Sequence, residues 1–542
     1  MSAPNLGQFL VAINGFIQVR NQAQFTDYLV LEPPFGPQYQ QMIAELKQIF
    51  PKGSEEALER KCEQSLPQAV EGADQASWSA FVRFMACYLA YLRDVDSDPN
   101  KYLETYDFLS ELQKHANAAL GHGSLGYLML QTTIKTAKLV CRLAIGLDKR
   151  PDLIRHLKSS EGASMGDGDE GQETLPERAA NSLRGAFNTC LADRSTAVGG
   201  LKDGRPEGKK QGIYIFANLC LKILFQCKKT RNAANLFEQI ENSAPPLAAY
   251  PKSQRVTYLY YLGRYWFQNN HFYRAQAALG KAYQESPCIP VCTKQRRHVL
   301  VYLIASNIVL GRFPSQALLA QPEAAGLSDY FLPLYLSIRQ GNLDLFKRHM
   351  YHNSANVEWM LYWRILLQLR SKCEVLVWRS LVRKTFTLTG RQPDPASKIA
   401  PTVDVDAIVA AYTALLQANP IDKAPFDNPP DPDFDLEDVR EEDGILLPNS
   451  YTVESILSSL IAQGFLGGYV SHKQSKFAIT GAARKGVMAA GFPHPWDVIG
   501  RKAGGPDSDH VPGWKKESPF AAGGTSGGPR VIRMSSAKAA GT

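Results

Sequence analysis

The chain has 542 residues, enough for several domains, and its 44% hydrophobic and 21% charged residues are typical of a globular protein. The formal net charge of +8 is modest for this length, so it permits nucleic-acid binding without requiring it. No stretch of about eighteen uninterrupted apolar residues is present, which argues against a membrane span.

The first 240 residues are predicted to form a helical-repeat region. The N-terminus has a short apolar run with no charged stretch before it, which predicts an amphipathic helix rather than a signal peptide. Apolar residues then recur at helical spacings, as at Phe81 and Phe84. Residues 159–178 are rich in Gly and acidic residues and are predicted to be a flexible loop. Gly166 begins a formal GxGxxG match there, but no strand precedes it and acidic residues lie inside it, so dinucleotide binding is not expected.

The nine cysteines are odd in number, scattered and mostly set in apolar helical patterns. This usage is typical of free, buried thiols in a reducing compartment, and we expect a soluble intracellular protein. Cys288 and Cys292 form the tightest pair, but no CxxC or His pair at zinc spacing accompanies them. His349 and His352 also lack a third ligand and are expected to be surface histidines. The sequence therefore predicts no metal site.

Residues 241–372 are predicted to be a tetratricopeptide-like helical region. Eight positions match the tetratricopeptide spacing: Leu259, Leu262, Gly263, Trp266, Ala275, Leu279, Ala282 and Pro287. A weaker helix pair is predicted over residues 298–320, and a third begins at Leu332. Helix pairs that bury their apolar faces on their neighbours form a solenoid, and solenoids commonly act as scaffolds. The neighbouring aromatic residues, Tyr258 to Phe267, occupy repeat positions, so they are expected to be core rather than a base-stacking surface.

Residues 373–485 are predicted to be a winged helix. The predicted elements are three helices and two strands. The helices run from Val375 to Gly390, over 403–416, and from an N-cap at Thr452 to Gly464, with Glu454 in the first turn of the third helix. The strands are predicted over 466–471 and 476–480. Residues 419–443 interrupt this region with ten acidic and two basic side chains, a net charge of −8, and five prolines. We expect this acidic insertion, and the Gly-, Ser- and Ala-rich basic tail over 486–542, to be disordered.

An all-α solenoid that runs into a winged helix resembles the PCI domain, the module of the proteasome lid, the signalosome and translation initiation factor three. The runs SIRQGNLDLF, VWRSLVRKTF and LIAQGFLGGYVSHKQSKFAIT are similar to one branch of that family, the signalosome-subunit-twelve-like group. This branch includes the PCI subunit of the nuclear transcription-and-export complex. The resemblance covers residues 250–480, and the acidic insertion and the long tail depart from it.

The resemblance implies a non-catalytic subunit of a heteromeric complex, with no cofactor. Its implied partners are a larger PCI scaffold subunit, a small acidic disordered protein, and RNA or DNA. The implied function is to couple transcription to messenger RNA export in the nucleus, at nuclear pores. The alternative is an assembly subunit of signalosome or proteasome-lid type that makes no contact with nucleic acid.

Basic residues, rather than the third helix of the winged helix, are the candidates for nucleic-acid contact. The outward positions of that helix are Ser455, Ser458, Ser459, Ala462 and Gln463, and none is basic, so sequence-specific base reading is not expected. The predicted nucleic-acid-binding residues are Lys372, Arg379, Arg383, Lys384, His472, Lys473, Lys476, Arg484 and Lys485. If the helix is continuous, Arg379 and Arg383 each fall within about 20° of Lys372 around the helix axis. The alternative is an ordinary solvated helix face with a polar wing tip.

Overall fold

The computed structural model describes most of the chain as a succession of helices. The described residues are 4–67, 69, 77–95, 101–150, 152, 174–194, 200–392, 400–418 and 449–503. The acidic insertion, the tail beyond residue 503 and most of the predicted loop 159–178 lie outside them. Within these ranges, no helix is long and apolar enough to cross a bilayer.

The N-terminal helices pack against one another. They are α1 (Pro4–Val19), α2 (Gln22–Tyr28), α3 (Pro37–Ile49), α4 (Glu55–Ser65), α5 (Ser79–Asp94), α6 (Tyr102–Leu120) and α7 (Leu130–Asp148). Helix α1 buries Leu6, Leu10 and Ile13 against this core, which confirms the predicted amphipathic helix. The indole N–H of Trp78 donates to the carbonyl oxygen of Ala119 at 2.9 Å and ties α5 to the end of α6.

The middle of the chain continues the same packing. Its helices are α8 (Leu175–Leu191), α9 (Ile213–Gln226), α10 (Ala234–Ser243), α11 (Lys252–Gln268), α12 (Phe272–Glu285), α13 (Thr293–Val309), α14 (Gln316–Leu319), α15 (Leu327–Gln340), α16 (Leu343–Lys347) and α17 (Ser354–Tyr362). A two-stranded hairpin, β1 (Leu201–Lys202) and β2 (Arg205–Pro206), precedes α9. Helix α8 begins inside the predicted loop because Thr174 and Glu177 form a capping box there, with the Thr174 N–H donating to Glu177.

Helices α11 and α12 form the predicted tetratricopeptide-like pair. All the small and aliphatic positions of the pattern are buried. Gly263 allows the two helices to approach each other closely, since a Cβ there would lie 2.4 Å from Cγ of Leu279. Pro287 follows directly after α12 ends. The next pair is incomplete, because α13 is followed by the single turn of α14.

Helix α15 ends at Gly341, which adopts the left-handed conformation at φ +68°. A Cβ at this glycine would lie 2.5 Å from the backbone nitrogen of Leu381, so the turn touches the first helix of the winged helix directly. After α16, residues Arg348–His352 form a π-helical turn. His349 is buried in this turn, with Nε2 2.7 Å from the carbonyl oxygen of Tyr330. The prediction of a surface histidine was therefore wrong at this position.

The C-terminal module contains α18 (Leu366–Thr389), β3 (Thr402–Asp404), α19 (Val405–Ala418), α20 (Ser450–Gln463), β4 (Gly468–Ser471), β5 (Lys476–Ile479), α21 (Ala482–Lys485), α22 (Val487–Gly491) and α23 (Pro495–Lys502). The strands form an antiparallel sheet in the order β3-β5-β4. The fold class is thus confirmed: a helical solenoid followed by a winged helix with a small β wing.

Three local predictions in this module were wrong. Residues predicted to begin the second helix form β3 instead, because Val403 pairs with Phe477 and completes the free side of the hairpin. The N-cap of α20 is Asn449, whose side chain accepts from the N–H of Thr452 at 2.8 Å. Glu454 consequently lies beyond the first turn, where it bonds to His472.

The C-terminal segment (residues 486–503), which had been predicted to be disordered, is folded. It packs across the junction between the solenoid and the winged helix. The Gly467 N–H donates to the carbonyl oxygen of Gly491 at 3.0 Å, and Phe492 lies 5.8 Å from Phe386 between ring centroids. On the solenoid side, the ring of Trp496 lies 4.7 Å from that of Tyr273. The segment therefore attaches the winged helix to the helical repeats.

Candidate nucleic-acid interface

The third helix of the winged helix, α20, presents an uncharged outer face. Ser455, Ser458, Ser459 and Ala462 are exposed, and Gln463 is half-buried. Val453, Leu457 and Leu460 form the buried side, with Ile456 and Ile461 at its margins. A helix that reads base edges carries long hydrogen-bonding side chains on its outer face. This face offers almost none, and any contact with nucleic acid must come from neighbouring elements.

Arg379, placed by sequence in the basic face of α18, is instead buried. Its side chain is 8% exposed, and Nη2 donates to the carbonyl oxygens of Phe492 and Pro493, both at 2.8 Å. Burial, reinforced by the nearby charge of Arg383, lowers the pKa of Arg379 to about 10. The guanidinium therefore stays charged at neutral pH, and it holds the C-terminal segment rather than facing solvent.

The other predicted cations of α18 are exposed. Lys372, Arg383 and Lys384 have no ion-pair partner among the described residues. Lys372 and Arg383 are eleven residues apart, which corresponds to about 16 Å along the helix axis. They can therefore contact separate backbone phosphates, whereas a single phosphate cannot bridge them.

The wing carries three predicted residues, of which two have acidic neighbours. Nδ1 of His472 lies 2.8 Å from a carboxylate oxygen of Glu454, and Nζ of Lys476 lies 3.4 Å from Asp404. Lys473, at the tip, is exposed and has no acidic partner among the described residues. The wing tip is thus less basic than its sequence indicates.

Arg484 and Lys485 are exposed on α21, at the end of the hairpin opposite the wing tip. Four strand residues separate the two ends, a length of about 13 Å. The nine predicted residues therefore do not form one compact patch. Arg379 is buried, and the other eight are spread over a surface that includes α18, the wing and α21.

Sequence reasoning missed one cation that belongs to this surface. Arg312 follows α13 in the solenoid, and its Cζ lies 3.4 Å from the ring centroid of Trp496. Burial lowers the pKa of His494, and Arg379, Arg312 and Arg383 lower it further, so these side chains share one electrostatic neighbourhood. We refer to the exposed Arg312 and Arg383 as the junction cations. Gly311, next to Arg312 in sequence, packs closely on the C-terminal segment, since a Cβ there would lie 3.0 Å from Pro495.

Two other groups singled out in the sequence have structural roles. All nine cysteines are free thiols; five are buried, and Cys288 is exposed. The aromatic residues around Tyr258 pack within the solenoid, as predicted, and Tyr258 itself is fully buried. Lys209 is also buried, and its Nζ lies 3.6 Å from a carboxylate oxygen of Asp193.

Comparison with known proteins gives relatives rather than a family model, since no family model matches the chain. A PCI domain-containing protein of Schizosaccharomyces pombe is 25% identical over 478 residues, which are 88% of this chain and 92% of that protein. PCI domain-containing protein 2 of Danio rerio is 24% identical over 326 residues, 60% of this chain and 66% of that protein. A CSN12 homolog of Gibberella zeae is 29% identical over 240 residues, 43% of this chain and 49% of that protein. The resemblance to PCI-domain proteins of the signalosome-subunit-twelve-like branch is thereby confirmed.

Proposed function

From this homology to PCI domain-containing and CSN12-like proteins, we propose that the chain is a non-catalytic scaffold subunit of a nuclear complex that couples transcription to messenger RNA export. It pairs with a larger PCI subunit and a small acidic protein, at nuclear pores. Its exposed cations bind RNA or DNA through the phosphate backbone without strong sequence preference. The names of the relatives support the more general part of this proposal, namely that the chain is a subunit of a PCI-type complex.

The observation that carries the nucleic-acid proposal is the distribution of exposed charge in the C-terminal module and at its junction with the solenoid. The outer face of α20 is uncharged, whereas Arg383 and Lys384 on α18, Arg312 at the junction and Lys473 on the wing are exposed cations. Cations arranged in this way neutralise phosphates and fix the orientation of the strand, but they do not read bases. The expected binding is therefore sensitive to salt and tolerant of sequence.

A second candidate function is pure assembly, with no nucleic-acid contact. It is favoured by the edge strand β4, whose Tyr469 is 56% exposed, and by the small side chains on the outer face of α20. Both features suit the approach of another protein chain. The two candidates differ in what the exposed cations do, so charge-removing variants separate them.

The test uses the full chain in complex with its PCI partner. Fluorescence anisotropy with labelled single-stranded RNA and DNA would be measured across a range of salt concentrations. The test variant replaces four cations by glutamine: Arg312, Arg383, Lys384 and Lys473. Loss of four phosphate contacts should reduce the slope of log K against log salt by about 3.

The matched control removes the same charge elsewhere. Its four substitutions to glutamine are at exposed lysines of the N-terminal helices and their connections: Lys47, Lys52, Lys138 and Lys149. The proposal requires that this control bind as the wild type does, while both variants still assemble. If the two variants lose binding equally, or if the wild-type complex binds neither nucleic acid, the assembly function is the better one.

A further inference from the structure

An aromatic cavity in the solenoid, separate from the winged helix, contains a half-buried arginine, Arg264, with no acidic partner among the described residues. The cavity has a volume of about 370 Å³ and opens between α9, α11, α13 and the end of α17. Its walls include Phe225, Tyr260, Tyr302 and Trp363. Arg264 projects from α11 among these rings, and none of the described residues that line the cavity is Asp or Glu.

The guanidinium of Arg264 is held by rings rather than by a carboxylate. Its Cζ lies 4.9 Å from the ring centroid of Phe225, 5.4 Å from that of Tyr260 and 5.0 Å from that of Tyr302. Nη1 donates to the hydroxyl of Tyr260 at 3.1 Å. Nε is buried and has no hydrogen-bond acceptor among the described residues. Cation–π contacts offset part of the desolvation of the charge, but they leave a buried donor unsatisfied.

The tyrosines around Arg264 do not supply the missing negative charge. Burial raises the pKa of Tyr302 to about 12 and also raises the pKa of Tyr260, so both phenols are neutral at physiological pH. His298, which also lines the cavity, has its pKa lowered by burial and by the charges of Arg264 and Arg297. The cavity therefore carries a net positive charge, and an entering anion would neutralise it.

We propose that this cavity binds a carboxylate side chain of an acidic peptide segment from a partner protein. A carboxylate presents two oxygens to a guanidinium edge and sits on a flexible side chain that can enter between the rings. A backbone phosphate of a nucleic acid, by contrast, carries a sugar on each side rather than standing at the end of a flexible side chain. Lys222 is exposed at the rim and provides a second cation for a neighbouring acidic residue.

This binding site is independent of the proposed nucleic-acid surface, because no junction cation and no wing residue lines the cavity. It gives the solenoid a way to hold an acidic partner without using the winged helix. Failure of one proposal therefore leaves the other standing, since the two use different residues and different probes.

The test measures binding of fluorescein-labelled hexaglutamate to the full 542-residue chain at low salt. Arg264→Met removes the charge and should weaken binding by about tenfold or more. Thr257→Tyr narrows the cavity from its wall while leaving Arg264 in place, and should weaken binding comparably. The matched control is Lys252→Met, which removes an exposed cation from the same helix and should bind as the wild type does.

Three results would overturn the proposal. They are no measurable hexaglutamate binding to the wild-type chain at about 1 mM peptide, equal binding by the wild type and Thr257→Tyr, and binding of labelled hexaglutamine as strong as that of hexaglutamate. Binding of labelled oligouridine to the wild type and to Arg264→Met is measured as a final comparison. If oligouridine rather than hexaglutamate depends on Arg264, the cavity binds nucleic acid and the peptide assignment is wrong.

Discussion

At the scale of single residues, neighbouring cations on the same helix have different roles. Arg379 and Arg383 are one turn apart on α18, yet Arg379 is buried against the C-terminal segment and Arg383 is exposed. The difference follows from what each side chain meets. Arg379 donates to two carbonyl oxygens of the C-terminal segment, whereas Arg383 is exposed to solvent.

Arg379→Met should destabilise the protein, whereas Arg383→Met should not. Arg379 donates two hydrogen bonds from a charged group, and such bonds contribute about 1.5–3 kcal/mol each. Burial of the charge offsets part of this, so the expected loss is about 2 kcal/mol in urea unfolding. Arg383→Met should change stability by less than about 0.5 kcal/mol and weaken nucleic-acid binding. Equal stability losses in the two variants would contradict this assignment.

His349 should contribute to loss of stability in acid. Burial lowers its pKa, against a smaller opposing effect of its bond to the carbonyl of Tyr330, so the folded state resists protonation. The unfolded chain takes up the proton near pH 6.5, and stability must therefore fall as the pH drops below that value. His349→Gln keeps a donor for Tyr330 and should lose less stability between pH 7.5 and 5.5 in urea unfolding. His352→Gln, an exposed control, should follow the wild type, and an identical loss in all three proteins would contradict the prediction.

At the scale of elements, two local contacts add to the packing of α18 on α13, α15 and α16 in holding the winged helix against the solenoid. One is the turn after α15, where Gly341 lies against the backbone of α18. The other is the C-terminal segment, which reaches from Phe386 in the winged helix to Tyr273 in the solenoid. Because the two contacts involve different elements, each can be removed separately.

Gly341→Ala should be much more destabilising than Gly326→Ala. Both glycines have positive φ, +68° and +72°, so both substitutions incur the left-handed penalty of about 1–2 kcal/mol. Only Gly341 has backbone atoms of α18 within 3 Å of a new Cβ, whereas Gly326 has nothing within 4 Å. Urea unfolding should show an additional loss of about 1–3 kcal/mol at Gly341. Similar losses at both positions would mean that the turn tolerates displacement from α18.

Truncation after Lys485 should weaken the attachment of the winged helix, whereas truncation after Ala503 should not. The shorter chain loses the buried side chains of Phe492, Pro495 and Val498, together with both acceptors of Arg379. Burial of each large apolar side chain contributes about 1.5–3 kcal/mol, so the expected loss is about 4 kcal/mol or more. Limited proteolysis should digest the winged helix of the shorter chain faster. Equal protection of both truncated chains would show that the segment is dispensable.

At the scale of the whole molecule, the exposed cations of the C-terminal module coexist with a strongly acidic insertion in the same module. Residues 419–443 have a net charge of −8 and connect α19 to α20, although they lie outside the described residues. The insertion can compete with nucleic acid for the cations, since both are polyanions. The net charge of the whole chain, +8, is the sum of these opposite local charges and does not reveal them.

Deleting residues 419–443 should tighten nucleic-acid binding at fixed salt. Removal of eight net negative charges raises the local positive potential and frees cations that the insertion screens. Anisotropy at low salt should show the largest gain, and the gain should shrink as salt increases. A matched control would replace the ten acidic residues by Asn and Gln at constant length. Unchanged or weaker binding in the deletion and in this control would contradict the screening.

The sequence by itself determined the helical solenoid, the winged helix and the uncharged face of α20, because these follow from periodicity along single segments. Tertiary structure decided what depends on contacts between distant segments. The C-terminal segment is folded because its backbone accepts hydrogen bonds from Arg379 and its Trp496 ring packs against Arg312. Its composition alone predicted disorder. The strand β3 exists because β5 supplies its hydrogen-bond partners. Whether a cation faces solvent or carbonyl oxygens is likewise fixed by what packs against it, and helical spacing contains no information about that neighbour.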